Sequence, residues 1–239
     1  MHNAALAARA EHLDHNFLEY VYLPLRVEPN GLEIALNGMM ALGYQGFNVT
    51  IPHKQAIMPF LKDISPLARF VGAVNTVNRQ DDFWIGTNTD VQGFLSPLKK
   101  IDCDWQHLEV CILGGGGAAR AVIAGCHQLN CGAIHVVGRD ASKLKALKAE
   151  ELQHKTIQEC LLRTTQPVSI QIHEWSILES LLPRVGLVVN TTPLGMYPKI
   201  DASPLRETQI ALLPSSAIVY DLIYTPRPTQ LLTLAKQQK

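Results

Sequence analysis

The sequence predicts an α/β fold in two domains, on three observations. Residues 1–90 alternate helix-like and strand-like segments. After "VQGFLSPLKK" at 91–100 the character changes, and residues 108–152 read strand, glycine-rich turn, helix, strand, turn, helix. "VGLVVNTTPLGM" (185–196) and "AIVYDLIYTP" (217–226) then add further buried-type strands, as a parallel sheet requires. The expected division is 1–95 and 96–239, with the boundary in or beside 92–105.

Taken in order, "NAALAARA" (3–10) is rich in helix formers, and "YVYLPLRV" (20–27) reads as a strand whose Pro24 points to an edge or bulge. Residues 31–43 have helical apolar spacing and stop at Gly43, a residue suited to a C-cap. "GFNVT" (46–50) is the next strand, 54–65 a helix start with an interruption at Pro59, and 72–90 two strands around a turn at Gln80–Asp82. Residues 153–175 read as helix followed by a short strand at "VSIQI" (168–172).

Composition narrows the function. Of 239 residues, 47% are hydrophobic and 18% charged, enough apolar surface for a core. Lys plus Arg and Asp plus Glu are 21 each, so no net charge draws the chain to nucleic acid or an anionic membrane. Cys103, Cys111, Cys126, Cys131 and Cys160 are odd in number and lack C-x-x-C spacing, which argues against a disulfide framework or structural zinc; Cys111 reads as a core residue. No metal site is expected. No apolar run approaches the roughly 20 residues of a membrane span, and the N-terminus lacks a signal pattern, so the expected compartment is cytoplasmic.

"LEVCILGGGGAARAV" places Gly114, Gly116 and Ala119 as G-x-G-x-x-A between a strand and a helix. Such glycines permit a tight turn and close approach of a pyrophosphate to free N–H groups at the helix start, so a Rossmann-type dinucleotide-binding domain is expected. The second strand ends "VVGRDASK". Arg139 and Lys143 suit the 2′-phosphate of NADP; Asp140 opposes this, since it could instead accept a ribose hydroxyl as in NAD enzymes. A nicotinamide enzyme acting on an alcohol or ketone also needs a proton partner. Lys54, after "NVTIPH", and Asp90, ending "GTNTD", are the candidate pair.

Six segments occur together in order: "GFNVTIPHK", "GAVNTV", "GTNTDVQGF", "LGGGGAARA", "VVNTTPLGM" and "YDLIYTPRPTQLL". In content and spacing the chain resembles the shikimate dehydrogenase family over nearly all of residues 1–235. The resemblance implies a substrate domain and an NADP domain with the active site in the cleft between them, and reversible reduction of 3-dehydroshikimate to shikimate. By motif match, Lys54 and Asp90 would be catalytic. Thr50, Asn75, Asp90 and Tyr224 would meet substrate, and Asn48 would support that loop. Gly114, Gly115, Gly116, Gly117, Ala118, Ala119, Arg139 and Lys143 would hold the cofactor phosphates, and Thr191, Pro193 and Met196 its ribose and nicotinamide side. His53 takes no role.

The family pattern also contains an S-x-S-P loop ahead of "MHNAAL", closing helices beyond "LLTLAK", and commonly Asn and Thr where this chain has Gly138 and Asp140. Without counterparts of the serines and closing helices, weak hold on the substrate carboxylate is expected. Two alternatives therefore accompany the leading one: an NAD-linked quinate/shikimate dehydrogenase, and a non-catalytic nucleotide-binding remnant. A monomer or homodimer is expected.

Overall fold

The structure, a computed structural model, describes residues 3–4, 21–147 and 168–238. It divides into two compact units, Met1–Tyr44 and Gln45–Lys239. The expected helices over 5–10 and 153–167, and the end of the helix running to 152, lie outside the described residues.

In the first unit, Asn3 and Ala4 are helical. Helix α1 (Leu32–Ala41) buries Leu32, Leu36 and Met39, one stripe at helical spacing. It ends as the sequence predicts. Gly43 adopts φ +77, its N–H reaches Met40 O, and the Tyr44 N–H reaches Met39 O, a Schellman closure that needs a left-handed residue. The strand expected at 20–27 is a correction: residues 21–28 form no strand. Pro24 offers no N–H to a ladder, and Val21, Leu23 and Leu25 stand more than half exposed, so no apolar face is buried in return.

The second unit opens with a four-stranded sheet ordered β1-β3-β4-β2, made of β1 (Gly46–Asn48), β2 (Asp63–Ile64), β3 (Thr76–Gln80) and β4 (Phe83–Thr87). β3 pairs antiparallel with both β1 and β4, while β2 runs parallel to β4. The β3–β4 hairpin turns at Asp81, φ +53, where the sequence placed its turn. Residues 54–65 begin as a helix and are interrupted at Pro59, as the sequence predicts. Helix α2 spans only His53–Ala56, a 3-10 turn covers Met58–Phe60, and β2 follows. Pro59 cannot donate within an α-helix, but it fits the first turn of a new element, where it sits. Helix α3 (Pro66–Val71) is capped by Ser65 Oγ, which accepts from Ala68 N at 3.2 Å, and closes at Gly72, φ +67.

Helix α4 (Asp90–Leu98) leads to a five-stranded, all-parallel sheet: β5 (Glu109–Leu113), β6 (Ala133–Gly138), β7 (Ser169–Glu174), β8 (Val185–Asn190) and β9 (Ile218–Asp221). Its order is β7-β6-β5-β8-β9. Numbered along this sheet, that is 3-2-1-4-5, the doubly wound order of dinucleotide-binding folds, reversing direction between β5 and β8. Cys111 is buried in β5, as expected. Helix α5 (Gly117–Gln128) covers one face, where Ala119, Val122 and Cys126 join Val110, Ile112, Ile134 and Val136. α3 and α4 pack on α5 from the other side, so Phe70, Val91, Phe94 and Leu95 share its core. The opposite face packs Leu113, Val137 and Val188 on Leu178, Leu181 and Leu231. No helix among the described residues is long and apolar enough to cross a membrane.

Candidate active site

Lys54 is the second residue of α2, just past the end of β1, and Asp90 is the first residue of α4. Lys54 Nζ donates to Asp90 Oδ2 at 2.8 Å, with the lysine side chain 28% exposed. The backbone ties the segments beside Lys54 to residues 74–75: Val74 N–H donates to Lys54 O at 2.8 Å, and Val49 N–H to Asn75 O at 2.8 Å. Asn75 Nδ2 donates to Asp90 Oδ1 at 2.7 Å, so each carboxylate oxygen has a donor. Asn75 Oδ1 accepts from Thr89 N, Thr89 Oγ1 and Thr76 Oγ1, which leaves only the second side-chain amide hydrogen of Asn75 for a ligand. Asn48 Nδ2 reaches Asn75 O at 3.3 Å and Thr76 Oγ1 at 3.2 Å.

Beneath this pair lies Asn88, 2% exposed. It donates to Ala73 O at 2.9 Å and accepts from Asp90 N at 2.9 Å, clamping the α4 start to the strand-end segment. Sequence reasoning did not single it out. The available signal was "N-T-D", an Asn two residues before a helix start, whose side chain can mimic a backbone turn. The start of α4 also presents positive dipole to the Asp90 carboxylate.

The second centre is a cleft of about 260 Å³ where the parallel sheet reverses its strand order; Gly114, Gly115, Gly116, Arg139, Lys143, Trp175, Thr191 and Pro193 are among its lining residues. Gly114 has φ +109, and a Cβ there would lie 2.8 Å from Thr191 Oγ1. Thr191 in turn donates Oγ1 to Leu113 O at 2.8 Å, drawing the end of β8 against the glycine turn. Gly116 caps α5, and a Cβ on it would meet no atom within 4 Å. The side of the turn facing the cleft is therefore open for a ligand to approach the backbone. Gly117 and Ala118 are exposed at the start of α5, while Ala119 is buried and lets the helix sit close on the sheet. The cradle thus fits a pyrophosphate at a helix N-terminus, with two cations beyond the second strand for a further phosphate.

Asp140, which the sequence set against that second phosphate, caps the helix over residues 141–147 (α6). Its Oδ1 accepts from the Ser142 hydroxyl, Ser142 N and Lys143 N, and Oδ2 lies 3.6 Å from Lys143 Nζ. Those bonds, the Ser142 hydroxyl foremost, hold its carboxyl below the usual range. Arg139 lies over the Trp175 ring, with its guanidinium carbon 4.4 Å from the ring centroid.

Other expected residues sit apart from these two networks. Thr50 is exposed in the turn before α2, where its carbonyl accepts from His53 N. Tyr224 is 85% exposed in the loop after β9, and Met196 is about half exposed in the turn that follows Pro193. Both loops hang on residues the sequence reading passed over. Buried Asn190 donates to Asp221 Oδ1 and Leu194 O, and Asp221 also takes Ile223 N and Thr229 Oγ1. Burial pushes the Asp221 carboxyl up, against the pull of those three donors. No group of three His, Cys, Asp or Glu among the described residues is placed to hold a metal.

An ion pair able to pass a proton begins one helix, α4, and that helix packs on α5, which begins at a turn shaped for a dinucleotide. Hydride transfer to or from an alcohol carbon needs these two capacities together, and the class of the molecule is accordingly a dinucleotide-dependent oxidoreductase. Comparison with known proteins narrows it. Residues 1–77 match the family described as the shikimate dehydrogenase substrate binding domain. The chain is 48% identical over 241 residues to the shikimate dehydrogenase (NADP(+)) of Trichormus variabilis, covering 100% of this chain and 77% of that protein. A solved shikimate dehydrogenase in complex with NADP+ superposes with a TM-score of 0.79 at 34% identity, over 97% of this chain and 75% of the other. The Thermus thermophilus enzyme in complex with NADP(H) and shikimate gives 0.76 at 28% identity, over 98% and 78%. The chain belongs to the shikimate dehydrogenase family.

Proposed function

We propose that this chain catalyses the reversible, NADP-linked reduction of 3-dehydroshikimate to shikimate. The observation that carries the reading is the 2.8 Å Lys54–Asp90 pair, with Asp90 held by Asn75 and Asn88 at the start of α4, the helix that packs on α5. A nicotinamide held in the cleft would supply the hydride in reduction and take it back in oxidation. Lys54 gives its proton to the carbonyl oxygen as the alcohol forms and recovers it in the reverse direction. Asp90 keeps Nζ in place and offers an acceptor to a neighbouring ring hydroxyl. The second amide hydrogen of Asn75, the Thr50 hydroxyl and Tyr224 orient the remaining hydroxyls. Gly114 to Ala119 would hold the pyrophosphate, Arg139 and Lys143 the 2′-phosphate, and Thr191, Pro193 and Met196 the ribose and nicotinamide side. In this reading residues 1–95 hold substrate and 96–239 hold cofactor, and the enzyme works in the cytoplasm.

The test follows NADPH absorbance with 3-dehydroshikimate, and NADP+ reduction with shikimate. Substrate-dependent turnover in both directions is expected. A purified chain that binds NADPH but turns over neither substrate would end this reading.

A further inference from the structure

We propose that Trp175 is a positioning residue that presets Arg139 for the 2′-phosphate, and thereby sets the preference for a phosphorylated over an unphosphorylated dinucleotide. The proposal rests on the NADP reading above and adds to it a residue outside the glycine motif and the cationic pair.

Sheet register creates the contact. The last pair between β6 and β7 is Gly138 with Glu174, so the next residues, Arg139 and Trp175, leave neighbouring strand ends side by side. The guanidinium carbon sits 4.4 Å from the indole centroid, inside the ~6 Å range for attraction between a cation and an aromatic face. Both residues line the cleft beside the glycine turn.

The two partners are held very differently. Trp175 is partly buried and packs on the core formed by Val137, Leu178 and Leu181. It starts a 3-10 turn (Trp175–Ile177) that runs into helix α7 (Leu178–Leu181), whose Leu178 and Leu181 are fully buried. Arg139 is exposed, and a free arginine has many rotamers to lose when a ligand arrives. Stacking on a ring anchored in the core removes much of that freedom beforehand. The contact with an aromatic face also spends no N–H on a carboxylate or carbonyl partner, so the guanidinium's donors stay available to a phosphate. Lys143, by contrast, is 65% exposed and only loosely engaged with Asp140 at 3.6 Å. The preset cation is therefore Arg139.

The experiment compares binding of 2′,5′-ADP and ADP by calorimetry in the wild type, Trp175→Ala, Trp175→Phe, Arg139→Ala and the Trp175→Ala/Arg139→Ala double variant. Trp175→Ala should weaken 2′,5′-ADP by roughly tenfold, with ADP changed far less. Trp175→Phe, which keeps an aromatic face, should recover most of the loss. The double variant should bind 2′,5′-ADP no worse than Arg139→Ala alone. Equal weakening of both ligands by Trp175→Ala, or additive losses in the double variant, would make Trp175 mere scaffold and overturn the proposal. A wild type that does not distinguish the two ligands would bring down the NADP reading itself, and the proposal with it.

Discussion

Lys54 and Asp90 are 36 residues apart in sequence and meet at 2.8 Å because Val74 and Asn88 tie the α2 start and the α4 start to one strand-end segment. If Lys54 is the proton partner, Lys54→Ala should lower kcat by about 10²–10⁴-fold, the usual contribution of a general acid–base group. NADPH affinity, measured by fluorescence titration, should stay unchanged; a loss of turnover below tenfold would exclude the role. Arg139→Ala should weaken NADPH far more than NADH, since a charge-assisted bond to a phosphate contributes about 1.5–3 kcal/mol and NADH has no 2′-phosphate to lose. Parallel losses for both cofactors would remove Arg139 from the phosphate site. These residues were legible as sequence because they stand in short motifs at strand ends. Asn88 and Asp221 were not singled out: the "N-T-D" pattern marks Asn88 as a turn residue, but the partners that Asn88 and half-buried Asp221 hold across the fold depend on what the chain brings to them.

Among the elements, the contact of α4 with α5 joins the two centres, and it turns on Gly125. A Cβ at that position would lie 2.5 Å from Phe94 Cδ1 and 2.8 Å from Cε1. Gly125→Val should therefore cost about 1–3 kcal/mol by overpacking, a loss that the modest helix-propensity gain over glycine does not recover. Urea unfolding would measure it. Adding Phe94→Leu should return part of the loss, since the two side chains are in direct contact and their effects should not add; strict additivity would show that the clash lies elsewhere. Helices α1 and α5 and the parallel strands were visible from apolar spacing. The segment at 21–28 was not, because a β-like composition forms a strand only where a neighbour completes the ladder. Residues 54–65 were readable for the opposite reason: Pro59 marks the interruption locally, because its missing N–H ends the α-helix whatever helix formers flank it.

Across the whole molecule, acid should act through histidines buried where elements join. His127 of α5 is 3% exposed, edge-on to Phe70 of α3, and its Nε2 has no hydrogen-bond partner. Burial lowers its pKa to about 4. Because that value lies below the unfolded one of about 6.5, the unfolded chain binds more protons between the two, and stability is lost as pH falls through this window. Full protonation would cost about 3 kcal/mol, as an order of magnitude. His135 and His173 are also shifted down by burial, with Glu109 opposing the shift at His135, and they push the same way. Stability from urea unfolding should be flat from pH 8 to 7 and decline below about 6.5. His127→Leu should flatten much of that decline, and an unchanged slope would assign it to other groups.

Local sequence was enough to decide the backbone states that a short stretch specifies. The G-x-G-x-x-A turn, the αL glycine closing α1, the apolar strands of the parallel sheet and the six ordered motifs all depend on residues close together in the chain. The fold class and the family follow from them. Tertiary structure alone decided which side chains meet across elements. The stacking of Arg139 on Trp175 follows from the register of β6 against β7, which brings together residues separated by the whole segment between the two strands. Asp140 was an ambiguous charge in the sequence until the start of α6 placed N–H donors around it. Short-range patterns encode φ, ψ and which apolar face turns inward, whereas register, packing and the partners of polar side chains are set by the free energy of the whole chain, where each contact depends on many others already being in place.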